Sequence, residues 1–142
     1  MSCLLPASTF AHGAAVAAGL FPHLMVNTGA SYTDGKAGFA PGATLGYGIL
    51  AAGGRGLGGF YFKTDYSYDT GYQHSRWRIG PEVFATPYMA DVTLLIASRG
   101  GVGASVKVGY ALYDNFPLVW FYLSAGVTGS LWFAEAGISA GI

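Results

Sequence analysis

Along most of this chain apolar residues alternate with polar or small ones at a period of two, the pattern of strands whose two faces meet different surroundings. Between Leu57 and Tyr68, Phe60, Phe62, Thr64 and Tyr66 fall on one face and Tyr61, Lys63, Asp65 and Ser67 on the other. From His74 to Thr86, Trp77, Ile79, Pro81 and Val83 oppose Arg76, Arg78, Gly80 and Glu82. From Val102 to Tyr113, Val102, Ala104, Val106, Val108, Tyr110 and Leu112 oppose Gly103, Ser105, Lys107 and Gly109. The same rule orders Leu24 to Thr33, Gly42 to Ala51, Asp91 to Ser98 and Leu118 to Thr128. In Ser130 to Gly141, parity puts Phe133 and Glu135 on one face and Trp132, Ala134, Ala136 and Ile138 on the other, with a bulge or a rim position as the way to accommodate Glu135. Ala11 to Leu20 makes a ninth segment with weak alternation, and it is the one expected not to be a strand. Eight strands remain.

The charged residues follow the pattern. Asp34, Lys36, Arg55, Asp69, Asp91, Arg99 and Asp114 fall at expected turns or strand ends. Lys63, Asp65, Arg76, Arg78, Glu82, Lys107 and Glu135 all fall on the small or polar face. The apolar face carries no charge. Tyr32, Tyr66, Tyr68 and Trp77 lie near its strand ends, where membrane barrels carry aromatic girdles.

Composition identifies the solvent. Of 142 residues, 52% are hydrophobic and only 10% charged, against about 25% charged in ordinary soluble domains. A surface so poor in charge has to meet something other than water. Disorder is excluded, because it needs low hydrophobicity and high net charge, and here seven cations balance seven anions. The same balance gives no phosphate-binding footprint, so nucleic acid is not an expected partner. Length allows one domain, residues 1–142, with 1–23 as a candidate extension outside the barrel. Cys3 is alone, so neither an internal disulfide nor a multi-cysteine metal site is available. His12 and His23 have no neighbouring carboxylate or cysteine in sequence, and no metal or cofactor is expected.

A helical bundle is the competing architecture, since Met1 to Thr33, Ala37 to Gly54 and Asn115 to Ala134 are charge-free and long enough to cross a bilayer as helices. Only Asn115 to Ala134 looks helix-like. A soluble Gly-rich β-protein would have to expose Phe60, Phe62, Trp77, Ile79 and Val106 to water or bury them against a second sheet.

With the alternation in place, the chain resembles the small eight-stranded outer-membrane β-barrels of Gram-negative bacteria. The resemblance covers Leu24 to Ile142 and rests on pattern, including GATLGYGIL at Gly42 to Leu50 and ASVKVGYALYD at Ala104 to Asp114. It implies an all-β, antiparallel up-and-down transmembrane barrel in the bacterial outer membrane, with the lipid bilayer as partner. Two features depart from that family: Met1 to Thr33 lacks the cations of a secretory signal, and the last residue is Ile142 where an aromatic is usual. Removal of a signal is the expectation for the first.

An eight-stranded lumen is just wide enough for side chains to fill. Lys63, Asp65, Arg76, Arg78, Glu82, Lys107 and Glu135 are therefore expected to form an internal ion-pair network with a structural role. Three alternatives stand beside it. Arg76, Arg78 and Lys107 could line a narrow, anion-leaning pore. His74, Ser75 and Glu82 could supply base, nucleophile and carboxylate to a lipid-acting enzyme, although adjacent strand residues point to opposite faces. A homo-oligomer of open sheets would explain an odd strand count.

Overall fold

A computed structural model describes residues 8–9, 15–53, 56–113 and 117–142. The described residues are strands and short turns, with no helix long and apolar enough to cross a membrane. In chain order the strands are β1 (Ser8–Thr9), β2 (Ala15–Thr33), β3 (Lys36–Phe39), β4 (Gly42–Gly53), β5 (Gly56–Asp69), β6 (His74–Ala85), β7 (Tyr88–Ala97), β8 (Gly101–Tyr113), β9 (Leu118–Thr128) and β10 (Trp132–Gly141). Each pairs antiparallel with the next from β4 to β10. Strand β2 closes the ring by pairing with β10 on one edge and β4 on the other. The result is a closed eight-stranded antiparallel barrel. Strand β3 continues the track of β4 along β2 beyond a break at Ala40 and Pro41, and β1 makes a two-residue contact with Ala15 and Val16.

Pairings followed once around the ring from Ala30 pass through Ala136, Leu123, Val108, Ala90, Val83, Phe60 and Ile49 and return to β2 at Leu20, ten residues away. Ten residues of stagger over eight strands set a tilt of about 40°. At that tilt ten strand residues climb about 25 Å, the height of the apolar band of a membrane barrel.

The turns follow from local chemistry. Asp34 and Gly35 both have positive φ, 45° and 86°, the two-residue hairpin geometry that an Asp-Gly pair adopts most readily. Pro22 sits inside β2 without breaking the ladder. Leu24 exchanges hydrogen bonds with Ile142, so two residues earlier the missing N–H of Pro22 points to the same edge, where β10 has already ended. Pro81 faces β7, and the β6–β7 register skips Gly80 and Pro81.

Three expectations are corrected. Ala11 to Leu20 is not a separate non-strand: from Ala15 it is continuous with Leu24 to Thr33 in a single 19-residue strand. Residues Ala17–His23, placed in the possible extension, pair with Gly46–Ala52 and belong to the wall. The helix-like run from Asn115 to Ala134 is, from Leu118, the inward-outward alternating strand β9 and the start of β10. Its apolar residues read as continuous because Trp120 and Tyr122 fill the lumen while Phe121 and Leu123 face out. Cys3, His12, Arg55 and Asp114 lie outside the described residues.

Candidate functional site

The barrel is inverted relative to a water-soluble protein. Val26, Leu45, Val92, Val106, Leu123 and Trp132 stand outward at 48–67% exposure. Charged side chains fill the interior. All seven residues expected in the network, Lys63, Asp65, Arg76, Arg78, Glu82, Lys107 and Glu135, are at most 3% exposed.

The strand register stacks them in layers. In one layer the Lys63 ammonium lies between Glu82 and Asp91, with Asp91 Oδ2 at 2.5 Å, and His23 Nε2 lies 3.3 Å from Glu82 Oε1. The central layer is built on Asp65. It accepts from Arg78 Nη2 at 3.1 Å and from Lys107 Nζ at 2.5 Å, and Asn27 Nδ2 approaches at 3.5 Å. Arg78 also donates to Ser67 and Ser124. The layer toward the β5–β6 turn joins Arg76 to Glu135 at 3.1 Å and to Asp69 at 3.8 Å. Tyr122 donates to the other Glu135 oxygen, and Thr33 donates to Asp69. The Arg76 guanidinium lies over the Phe133 ring, 4.3 Å from its centroid.

At the end where β6 turns into β7 and β8 approaches β9, the filling becomes apolar. Met25, Tyr61, Phe84, Met89, Leu118, Trp120 and Tyr122 form one buried cluster. Tyr61 stacks on Phe84 at 5.7 Å, and Phe84 meets Trp120 edge-on at 6.0 Å, arrangements that aromatic quadrupoles favour. Inward glycines make room for rings along the lumen. A Cβ on Gly126 would strike the Phe133 ring, and one on Gly137 would come within 2.8 Å of the Tyr122 hydroxyl.

Two parts of the site differ from expectation. Asp69 and Asp91, assigned to strand ends, are buried members of the network, because β5 extends to Asp69 and β7 begins three residues before Asp91. Among the described residues the lumen therefore holds four cations (Lys63, Arg76, Arg78, Lys107) against five carboxylates (Asp65, Asp69, Glu82, Asp91, Glu135), a balance that does not lean toward anions. Glu135 needs neither bulge nor rim position: β10 keeps an unbroken register with β9 and β2 around it. The bulge lies in β8, between Ala111 and Tyr113.

The residues of the enzyme alternative are not brought together. His74 is buried at the start of β6, Ser75 points to the opposite face, and Glu82 lies eight residues along the strand beside Lys63. His23, Asn27, Tyr122 and Ser124 belong to the network and were not anticipated. Parity placed Tyr122 and Ser124 inward, and only the ring closure shows what they touch. No cluster of His, Cys, Asp or Glu suited to a metal ion occurs among the described residues.

A closed antiparallel barrel with ion pairs inside and aliphatic and aromatic side chains outside has the architecture of transmembrane β-barrels. Among solved structures the chain is similar to one described as a de novo design of transmembrane β-barrels. That likeness has a TM-score of 0.53 at 12% identity and covers 84% of this chain and 95% of the other. No family model matches the chain, and no curated protein matches it.

Proposed function

We propose that the protein is an integral β-barrel of the bacterial outer membrane with a structural role, closed to ions and solutes by its own side chains. The observation that carries this reading is the filling of the lumen: three ion-paired layers above an aromatic plug. Among the described residues every buried cation has a carboxylate within 4 Å, so none of these is free to attract a passing anion. Loosening such a network means exposing unpaired charges in a narrow interior, a cost of several kcal/mol. The outer face supports the membrane assignment, since contiguous apolar surface of this extent is not stable in water.

Bilayer conductance of the reconstituted protein tests the proposal. The expected trace is flat, with no unitary steps under applied voltage. Reproducible steps would replace the closed barrel with the narrow-pore reading.

A further inference from the structure

The one-charge imbalance of the lumen is confined to one layer. The central layer and the layer toward the β5–β6 turn are joined by Arg78 and Glu135 at 3.6 Å. Together, among the described residues, they hold three cations (Arg76, Arg78, Lys107) and three carboxylates (Asp65, Asp69, Glu135). In the layer beside the aromatic plug, the Lys63 ammonium alone serves both Glu82 and Asp91. Buried charges need partners, and this layer is one positive charge short.

His23 stands where that charge is missing. Its side chain is buried, and its Nε2 lies 3.3 Å from Glu82 Oε1 with no other partner among the described residues. The ring lies on Tyr61 at 4.7 Å, and Tyr61 in turn stacks on Phe84, so His23 ties the ion layer to the plug. The described ionisable groups around it are Tyr61 and Lys63 from β5, Glu82 from β6 and Asp91 from β7. Strands β4, β9 and β10 contribute the apolar Leu50, Leu118 and Ile142 to a hollow of about 140 Å³ against the imidazole. Ile142 is exposed, which puts this hollow at the end of the barrel and gives the ring a route for proton exchange with the outside.

We propose that His23 is a proton-operated latch on the plugged end of the barrel. As an imidazolium it is the fifth cation of the lumen: it donates from Nε2 to Glu82, leaves Lys63 to Asp91, and brings the described buried charges to five against five. A neutral ring can still turn an N–H toward Glu82 but adds no charge, so two carboxylates again share one ammonium and the plugged end is held less tightly. Histidine is the side chain whose charge ordinarily changes between pH 5 and 8. The carboxylate stands beside it only in the folded barrel, so the contribution of the latch is full at acid pH and is lost as pH rises through the imidazole range. The inference rests on the closed, paired lumen proposed above, which conductance tests separately.

Two measurements on the full chain test the latch. Urea titrations in lipid vesicles at pH 5.5 and 8.0 compare the unmodified barrel with His23→Gln, the difference removing the pH dependence of every other group. The folding equilibrium of the unmodified barrel should fall at least about tenfold more over this interval than that of the variant. Nitrogen-15 NMR of histidine-labelled barrel in detergent micelles, with the His23 signal assigned by its absence in His23→Gln, should show both ring nitrogens protonated at pH 6.5 and a predominantly neutral ring in Glu82→Gln at the same pH. Parallel pH dependences in the urea titrations, a barrel that gains stability over its variant as pH rises, or a His23 ring that is neutral at pH 6.5 overturns the proposal. So does a ring whose charge is the same with and without the Glu82 carboxylate.

Discussion

Asp65 is the position at which the lumen can be challenged most directly. Its carboxylate joins Arg78 and Lys107, and among the described residues it is the only carboxylate within 4 Å of the Lys107 ammonium. Asp65→Asn preserves size and removes the charge. Arg78 keeps Glu135 at 3.6 Å and two serine hydroxyls. Lys107 is left with no carboxylate within 4 Å among the described residues, only a neutral amide oxygen and the face of Tyr122, 5.0 Å away. Leaving one partner of a buried pair uncompensated costs about 3–5 kcal/mol, which shifts the folding equilibrium by roughly two to four powers of ten. The partner substitution Lys107→Met should be milder, because Asp65 retains Arg78. In the double variant the stranded ammonium is gone, so the effects should fall short of additivity by about 2 kcal/mol. Urea titrations in lipid vesicles, followed by tryptophan fluorescence, give the four free energies of the cycle. A cost below about 1 kcal/mol for Asp65→Asn, or strictly additive single effects, would refute a dry, paired lumen and imply that water reaches these groups.

Two further pairs of substitutions probe the wall and its packing. Val106→Arg places a charge on the outer face midway along β8, and in a bilayer it should cost about 2–4 kcal/mol, whereas Val102→Arg near the rim should cost at most about 1 kcal/mol; equal values in a vesicle folding titration would contradict membrane burial of the outer face. Gly137→Ala would push a methyl against the Thr28 carbonyl and the Tyr122 hydroxyl, with an expected loss of about 1–3 kcal/mol. Gly129→Ala, which meets nothing within 4 Å, is the neutral comparison in the same titration.

What could be read from the sequence divides along a physical line. Period-two alternation is a property of single strands, so facing was legible wherever strand interiors were unambiguous: Lys63 and Asp65, Arg76 and Arg78, and Lys107 all emerged inward from parity alone. Strand ends were less legible, because a barrel strand is extended by its neighbours' register, not by its own propensity. Asp69 continues the parity of Lys63, Asp65 and Ser67, yet it was assigned to a turn because Thr70 and Gly71 follow it. Its Oδ1 does accept from the N–H groups of Gly71 and Tyr72, as a turn aspartate would, while its Oδ2 accepts from Thr33 inside the barrel. One carboxylate serves both turn and lumen. The early half of β2 was hidden for a related reason. Pro22 and a charge-free run interrupt the amphipathic signal, and only the closure of the ring, with Ala17–Asn27 paired to β4 while Met25–Thr33 pairs to β10, gives those residues a place. Partners within the lumen are the least local feature of all. Arg76 meets Glu135 across 59 positions of sequence and Ser139 reaches Asn27 across 112, contacts that depend on the ten-residue stagger of the closed sheet. A two-residue slip between one pair of strands would keep every residue on its proper face while displacing the ion pairs that reach across it, so the lumen contacts do what alternation alone cannot: they select one register among those that bury the same charges.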